Sequence, residues 1–295
     1  MTYKIHHLNC ATLCPSNRRL INGETGLFNL FKKGLLVCHC LLIETDQGLV
    51  LVDTGFSFDD VTGKSWKNTL TFKSLGAQLN PDECAVSQIR RLGFRPEDVT
   101  HILLTHLDFD HGSGVRDFPN AKVHVFEKEY EAAKQPITLW ENMRYQSDIL
   151  SVHSHWQLHG YQGERWHGFE KVNVLSNHLY DILLVPLTGH SRGHCGVAVS
   201  TENGWLLHCG DAYFHHTQLE ENTNSCPVGL NAIQIVDETS RADRLNNIRR
   251  LTTLKHDRTR QVKLFCSHDH HEFEQCCHAS ERLGRADSML SALKA

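Results

Sequence analysis

The stretch Thr105-His106-Leu107-Asp108-Phe109-Asp110-His111-Gly112 sets two imidazoles and two carboxylates within six residues. Imidazole nitrogen and carboxylate oxygen are ligands for divalent metal ions, and a glycine-bearing loop directly after an apolar strand holds them in fixed directions. The arrangement recurs three times further along. Ile182 to Leu187 runs into Gly189-His190, Trp205 to Cys209 into Gly210-Asp211, and Val262 to Cys266 into Ser267-His268. Four strand-like segments thus each deliver His or Asp just past the C-terminal end, a coincidence that independent solvated turns would not require. A divalent ion held by such a set can acidify a bound water and polarise a carbonyl, and a carboxylate beside it can accept and pass on a proton.

Holding those residues requires a scaffold of strands and helices, and the apolar patterning supplies one. Leu35 to Ile43 and Leu49 to Val52 read as strands joined at the Asp46-Gln47-Gly48 turn. Further strands are expected at Val99 to Leu104, Lys122 to Phe126, Ile182 to Leu187, Gly196 to Ser200, Gly204 to Cys209 and Gln261 to Cys266. Asn80 as a cap, Pro81, the acids Asp82 and Glu83, and a stop at Gly93 predict a helix over 81–92. Other helices are expected around Glu127 to Lys134, from near Ser240 with Leu245, Ile248, Leu251 and Leu254 on one stripe, and from Phe273 to about Leu293. Strands and helices mixed in this order make an α/β layered fold. Residues 135–180 show no clear period and carry Trp140, Tyr145, Trp156, Tyr161 and Trp166, too aromatic for a disordered linker. They read as a cap or insertion over a pocket, or as an excursion of the core. No repeat or linker divides the chain, so residues 1–295 are expected to form a single domain.

Composition narrows the partners. A net charge of −4 leaves no basic excess for a general nucleic-acid binder, and no apolar run is long enough for a membrane span, so the expected partner is a small-molecule substrate. The oligomeric state stays open between monomer and homodimer. Eleven cysteines, an odd number without C-x-x-C spacing, and the lack of an apolar leader point to reduced thiols and a cytoplasmic protein. The 22 histidines are informative only by position.

The segments Leu51-Val52-Asp53-Thr54-Gly55, His106-x-Asp108-x-Asp110-His111, Gly189-His190-Ser191-Arg192-Gly193-His194, Gly210-Asp211 and Ser267-His268, spread over most of the chain, resemble the metallo-β-lactamase superfamily. The resemblance implies a four-layer αβ/βα sandwich with a two-metal site at one edge of the sheets. It implies one ion on His106, Asp108 and His190, a second on Asp110, His111 and His268, and Asp211 bridging both. Zinc is the first expectation. Asp53 would be a supporting carboxylate at the end of an early strand, and His194 would orient a neighbour. The family's usual pattern has His where this chain has Asp108. A carboxylate there makes the site more anionic and admits iron or manganese, or else it does not reach and only the second position fills.

The stretch from Ala85 to His111, Phe118-Pro119-Asn120-Ala121 and Glu127-Lys128-Glu129-Tyr130 are similar to the N-acyl-homoserine lactone lactonase branch. That implies a hydrolase using metal-bound hydroxide on an ester, first of all a lactone, with Asp110 as the acid/base. In that branch a Tyr three residues after the bridging Asp polarises the substrate carbonyl. Here that position is Phe214, and the Tyr falls one residue earlier, so Tyr213 is the candidate. Two other readings stay open. Flavodiiron proteins share the fold and carry an acid where the common motif has its second His, so Asp108 admits a di-iron redox enzyme, although no nucleotide fingerprint for a flavin domain is present. A degenerate, non-catalytic member is the third.

Overall fold

Leu41-Leu42-Ile43 and Val50-Leu51-Val52 are apolar at every position, and all six residues are buried, because both faces of their strands are covered. Leu41, Ile43, Val50 and Val52 point into one core and Leu42 and Leu51 into another, as the two-residue period of a strand dictates. The computed structural model describes residues 3–64, 72–73, 75–145, 148–153, 155–161, 163–176, 181–221 and 225–280.

Strands β1 (Lys4–Leu13), β2 (Leu36–Thr45), β3 (Gly48–Val52), β4 (Val99–Leu103), β5 (Lys122–Phe126) and β6 (Trp156–His159) form one sheet in that order. It is antiparallel from β1 to β3 and parallel from β3 to β6. A two-stranded ribbon, β7 (Arg165–Trp166) with β8 (Phe169–Glu170), precedes the second sheet. That sheet is built from β9 (Val172–Ser176), β10 (Asp181–Pro186), β11 (Cys195–Thr201), β12 (Gly204–His208) and β13 (Val262–Phe265), with only β12 and β13 parallel.

The sheets face each other across Leu41, Ile43, Leu103 and Phe126 on one side and Ile182, Leu184, Val197 and Phe265 on the other. The outer face of the first sheet is covered by helices Ala85–Arg91 and Glu127–Lys134 through Val86, Ile89 and Ala132. The outer face of the second is covered by helix Arg241–His256 through Ile248, Leu251 and Leu254. Two mixed sheets between two helical layers make the expected αβ/βα sandwich.

Several elements differ from the sequence reading. β1 has no clean alternation, since His6, His7 and Asn9 interrupt its apolar residues, so its pairing with β2 was hidden. The helix expected over 81–92 begins only at Ala85, because the Asn80 side chain accepts from the Asp82 N–H and turns the chain locally instead of capping a helix. Helix Arg241–His256 starts as expected, with the Ser240 hydroxyl accepting from Asp243 N–H, but Leu245 is 42% exposed. Arg244 is buried instead, its Nε 2.6 Å from Glu238. The last helix covers 270–280, and its expected extension to Leu293 lies outside the described residues. Within 135–180, β6 and β9 complete the edges of the two sheets, and helix Leu139–Arg144 precedes β6 in sequence. All eleven cysteines are free thiols, seven of them buried. Among the described residues no helix is long and apolar enough to cross a membrane.

Candidate metal centre

β4, β10, β12 and β13 end at Leu103, Pro186, His208 and Phe265, and the loops that follow bring His106, His190, Asp211 and His268 to one sheet edge. The short helix Phe109–Gly112 adds Asp110 and His111, with Asp108 at its N-terminal flank. All seven side chains are buried. His190 Nε2 lies 3.1 Å from Asp108 Oδ2 and 3.5 Å from Asp211 Oδ2. His106 Nε2 lies 3.4 Å from Asp108 Oδ2 and 3.8 Å from Asp211 Oδ2. His268 Nε2 is 3.1 Å from Asp211 Oδ2 and 3.7 Å from Asp110 Oδ2, while His111 Nε2 is 3.5 Å from Asp211 Oδ1 and 3.9 Å from Asp110 Oδ1. Asp211 therefore stands at the middle of the seven.

The inward atoms suit a cation. His106 Nε2, His111 Nε2 and Asp211 Oδ1 are buried without a hydrogen-bond partner, an arrangement that is costly unless a ligand completes it. The opposite ring atoms are occupied: His111 Nδ1 lies 2.9 Å from Asp53 Oδ2, His268 Nδ1 2.8 Å from Val37 O, and His106 Nδ1 2.9 Å from Thr105 Oγ1. Such partners fix the tautomer and aim Nε2 at the cluster. Three groups at this edge have donor atoms within 4.8 Å of one another: His106, Asp108 and His190; His106, His111 and Asp211; and Cys38, Asp110 and His268.

The electrostatics follow from burial against charge. Burial opposes ionisation of Asp108 and Asp211, but Arg144 beside the first, and His268 and His111 beside the second, hold both carboxyls well below the ordinary range. Burial likewise opposes the His111 imidazolium, and the Asp211 and Asp110 carboxylates outweigh it, raising the ring to about 9. His190 goes the other way: burial, then the Arg144 charge, push it down to about 4.

The supporting contacts are specific. Asp53, at φ 54°, accepts from Thr105 N and Oγ1 at 2.8 Å each as well as bonding His111. His194 Nδ1 donates to Leu187 O at 2.8 Å and its Nε2 accepts the Asp211 N–H at 2.8 Å, so it orients Asp211. Three residues escaped the sequence reading. Cys38 Sγ is 3.6 Å from Asp110 Oδ2, and the strand alternation that puts Cys38 and Cys40 on one face of β2 was the available signal. Glu129, one of three glutamates in its helix and indistinguishable by type, accepts from Leu107 N, Tyr145 OH, Ser191 Oγ and Gly193 N. Arg144 sits in the aperiodic segment, where only the unexplained charge at Asp108 hinted at a cationic partner.

Tyr213, the sequence candidate for polarising the substrate carbonyl, has its hydroxyl engaged by Glu272, to whose carboxyl it donates at 3.0–3.1 Å, and the side chain is fully buried. The neighbouring Phe214 ring is the one that packs on His190 and His268, with centroids 5.8 and 5.1 Å apart. The one-residue offset points successive side chains in different directions. A cavity of about 1020 Å³ lined by Trp140, Tyr161, Thr188, Ser191 and Arg192 borders the His190 loop, but none of the seven residues lines it.

Comparison with known proteins bears on this centre. The family profile described as Metallo-beta-lactamase superfamily matches residues 34–262. A Mycobacterium tuberculosis protein named "Probable metallo-hydrolase" is 37% identical over 266 residues, covering 90% of this chain and 80% of that protein. An N-acyl homoserine lactonase of Bacillus cereus is 27% identical over 208 residues, 70% of this chain and 74% of that protein. The structure of an N-acyl homoserine lactone hydrolase with N-hexanoyl-L-homoserine bound at its catalytic metal center superposes with a TM-score of 0.68 and 22% identity, covering 94% of this chain and 97% of that one.

Proposed function

This chain belongs to the metallo-beta-lactamase superfamily and is a metal-dependent hydrolase of that fold, and from this premise we propose that it opens ester bonds in small molecules, lactones first among them. One observation carries the reading: four imidazoles and three carboxylates from four strand ends meet with His106 Nε2, His111 Nε2 and Asp211 Oδ1 left without partners. Asp110, His111, Asp211 and His268 would hold a divalent ion, zinc by preference, with His106, Asp108 and His190 framing the adjoining position. A divalent ion held there supplies Lewis acidity and a water acidified toward neutral pH.

The protein's own groups do the rest. Asp110 would take the proton of the attacking water and return it to the departing alkoxide, as the carboxylate that also accepts from Cys38. Asp53 and Val37 O keep the His111 and His268 rings aimed, and His194 keeps Asp211 in place. The Phe214 ring beside His190 and His268 excludes water from one side of the centre. Lactonase activity in this chain is supported by the similarity to the Bacillus cereus protein, and a cytoplasmic setting by the free thiols.

The experiment is turnover of a panel of lactones, linear esters, thioesters and phosphodiesters by metal-loaded protein. Lactone opening that a chelator abolishes is the expected result. A loaded protein inert to the entire panel overturns the reading.

A further inference from the structure

Arg144 closes helix Leu139–Arg144 and is 4% exposed. Its Nε lies 2.9 Å from Asp108 Oδ1, its Nη1 donates to His190 O at 2.9 Å, and its Nη2 lies 2.9 Å from His190 Nε2. A guanidinium is always charged and only donates, so His190 Nε2 accepts in that contact, while toward the Asp108 carboxylate 3.1 Å away the same nitrogen could only donate. That nitrogen has a single lone pair, which cannot serve an N–H donor and a metal ion together. Of the group His106, Asp108 and His190, two members therefore already answer to Arg144.

The side chain is also pinned. The next residue, Tyr145, forms an antiparallel bridge with Asp108 and donates its hydroxyl to Glu129 at 3.2 Å. Charge points the same way. Asp108, Asp110 and Asp211 are three carboxylates facing the cluster, and one divalent ion plus one guanidinium matches them. A second divalent ion would have to sit against a buried guanidinium. The donors Asp110, His111, Asp211 and His268 are four, enough for one ion.

We infer that the Arg144 guanidinium stands in place of the first metal ion, so that this centre takes a single divalent ion beside a built-in positive charge. The inference rests on the hydrolase reading above and deepens it. The fixed cation supplies, without a metal, part of the positive charge that the family resemblance assigns to the first ion, and Asp108 is the anion that holds it there.

The test is metal stoichiometry. Wild-type protein is saturated with zinc, freed of loose ions by gel filtration and measured by elemental analysis, and Arg144→Met is treated alike with its fold checked by circular dichroism. One zinc per wild-type chain and two per Arg144→Met chain are expected. Two per wild-type chain overturn the inference, and so does an Arg144→Met chain that still holds one. Cadmium NMR of the cadmium-loaded wild type needs no variant: one resonance is expected, and two overturn the assignment. Turnover measured on the same samples separates the two proposals. Two ions with lactone opening overturn the guanidinium assignment alone, one ion without turnover overturns the ester reading alone, and no bound ion overturns both.

Discussion

The Glu129 carboxylate accepts a 2.6 Å hydrogen bond from the Ser191 hydroxyl, joining helix Glu127–Lys134 to the loop that carries His190. Two of its other contacts, Leu107 N at 3.1 Å and Gly193 N at 2.9 Å, tie the same carboxylate to the His106 loop and to the residue before His194. One buried acid thus fixes the spacing of two ligand-bearing loops.

Glu129→Ala strands those buried donors without an acceptor. It should cost about 3–5 kcal/mol in the free energy of unfolding, against about 1–3 kcal/mol for Glu129→Gln, which keeps the shape and one acceptor oxygen. Urea denaturation of the two variants checks the order. An alanine variant as stable as wild type would remove Glu129 from this role.

Asp53 aims His111 from a left-handed backbone position, φ 54°, which asparagine also tolerates. Asp53→Asn therefore preserves the turn and removes only the charge behind the imidazole. Metal affinity should drop by about 10–100-fold, read by competition with a chromophoric chelator. Unchanged affinity would show that His111 needs no anionic partner.

Gly210 has φ 53°, and a Cβ there would lie 2.6 Å from His194 Nε2, the atom that accepts the Asp211 N–H. Gly210→Ala should displace that ring and with it Asp211, at a cost of about 1–3 kcal/mol. The gain in melting temperature on metal addition should also shrink, because Asp211 sits between the imidazoles. Melting curves with metal and with chelator measure both effects.

Glu272 is pushed up to about 7 by burial and then by the Asp269 charge. Its folded-state pKa exceeds the unfolded value of 4.5, so between the two the folded chain holds a proton that the unfolded chain has released. Its contribution to stability is complete below the lower value and is lost as pH rises through the upper one. Glu272→Gln should flatten this dependence, changing the wild-type-minus-variant difference by about 3 kcal/mol between about pH 4 and about pH 8 in urea titrations. Tyr213→Phe, which removes a hydroxyl bonded to that carboxyl, should keep kcat. A large fall in kcat would restore Tyr213 to the catalytic role that the sequence suggested.

Much of the fold was legible where burial is two-sided. Leu41 to Ile43 and Leu49 to Val52 are continuous apolar runs because both faces of their strands are covered, and the ends of the strands at Val99 to Leu104 and Lys122 to Phe126 could be read to within a residue. β1 was not legible, since its histidines meet partners on the neighbouring strand β2, far away in sequence: His7 Nδ1 lies 2.7 Å from His39 Nε2. A polar residue satisfied by a tertiary contact looks, in sequence, like an interruption of the strand. Leu245 misled in the opposite sense, because helical spacing cannot tell that Arg244, neutralised by Glu238, lies inward.

Sequence by itself determined the chemical types of the centre and their delivery at strand ends, because strand periodicity and ligand identity are both local properties. It also exposed Asp108 as the odd ligand and left its meaning open between a harder metal and a missing one. Only the tertiary structure brought Arg144 to it, and brought His190 from 82 residues away to share that guanidinium. Which lone pairs stay free for a metal depends on hydrogen bonds between segments far apart in the chain, and no local pattern records them.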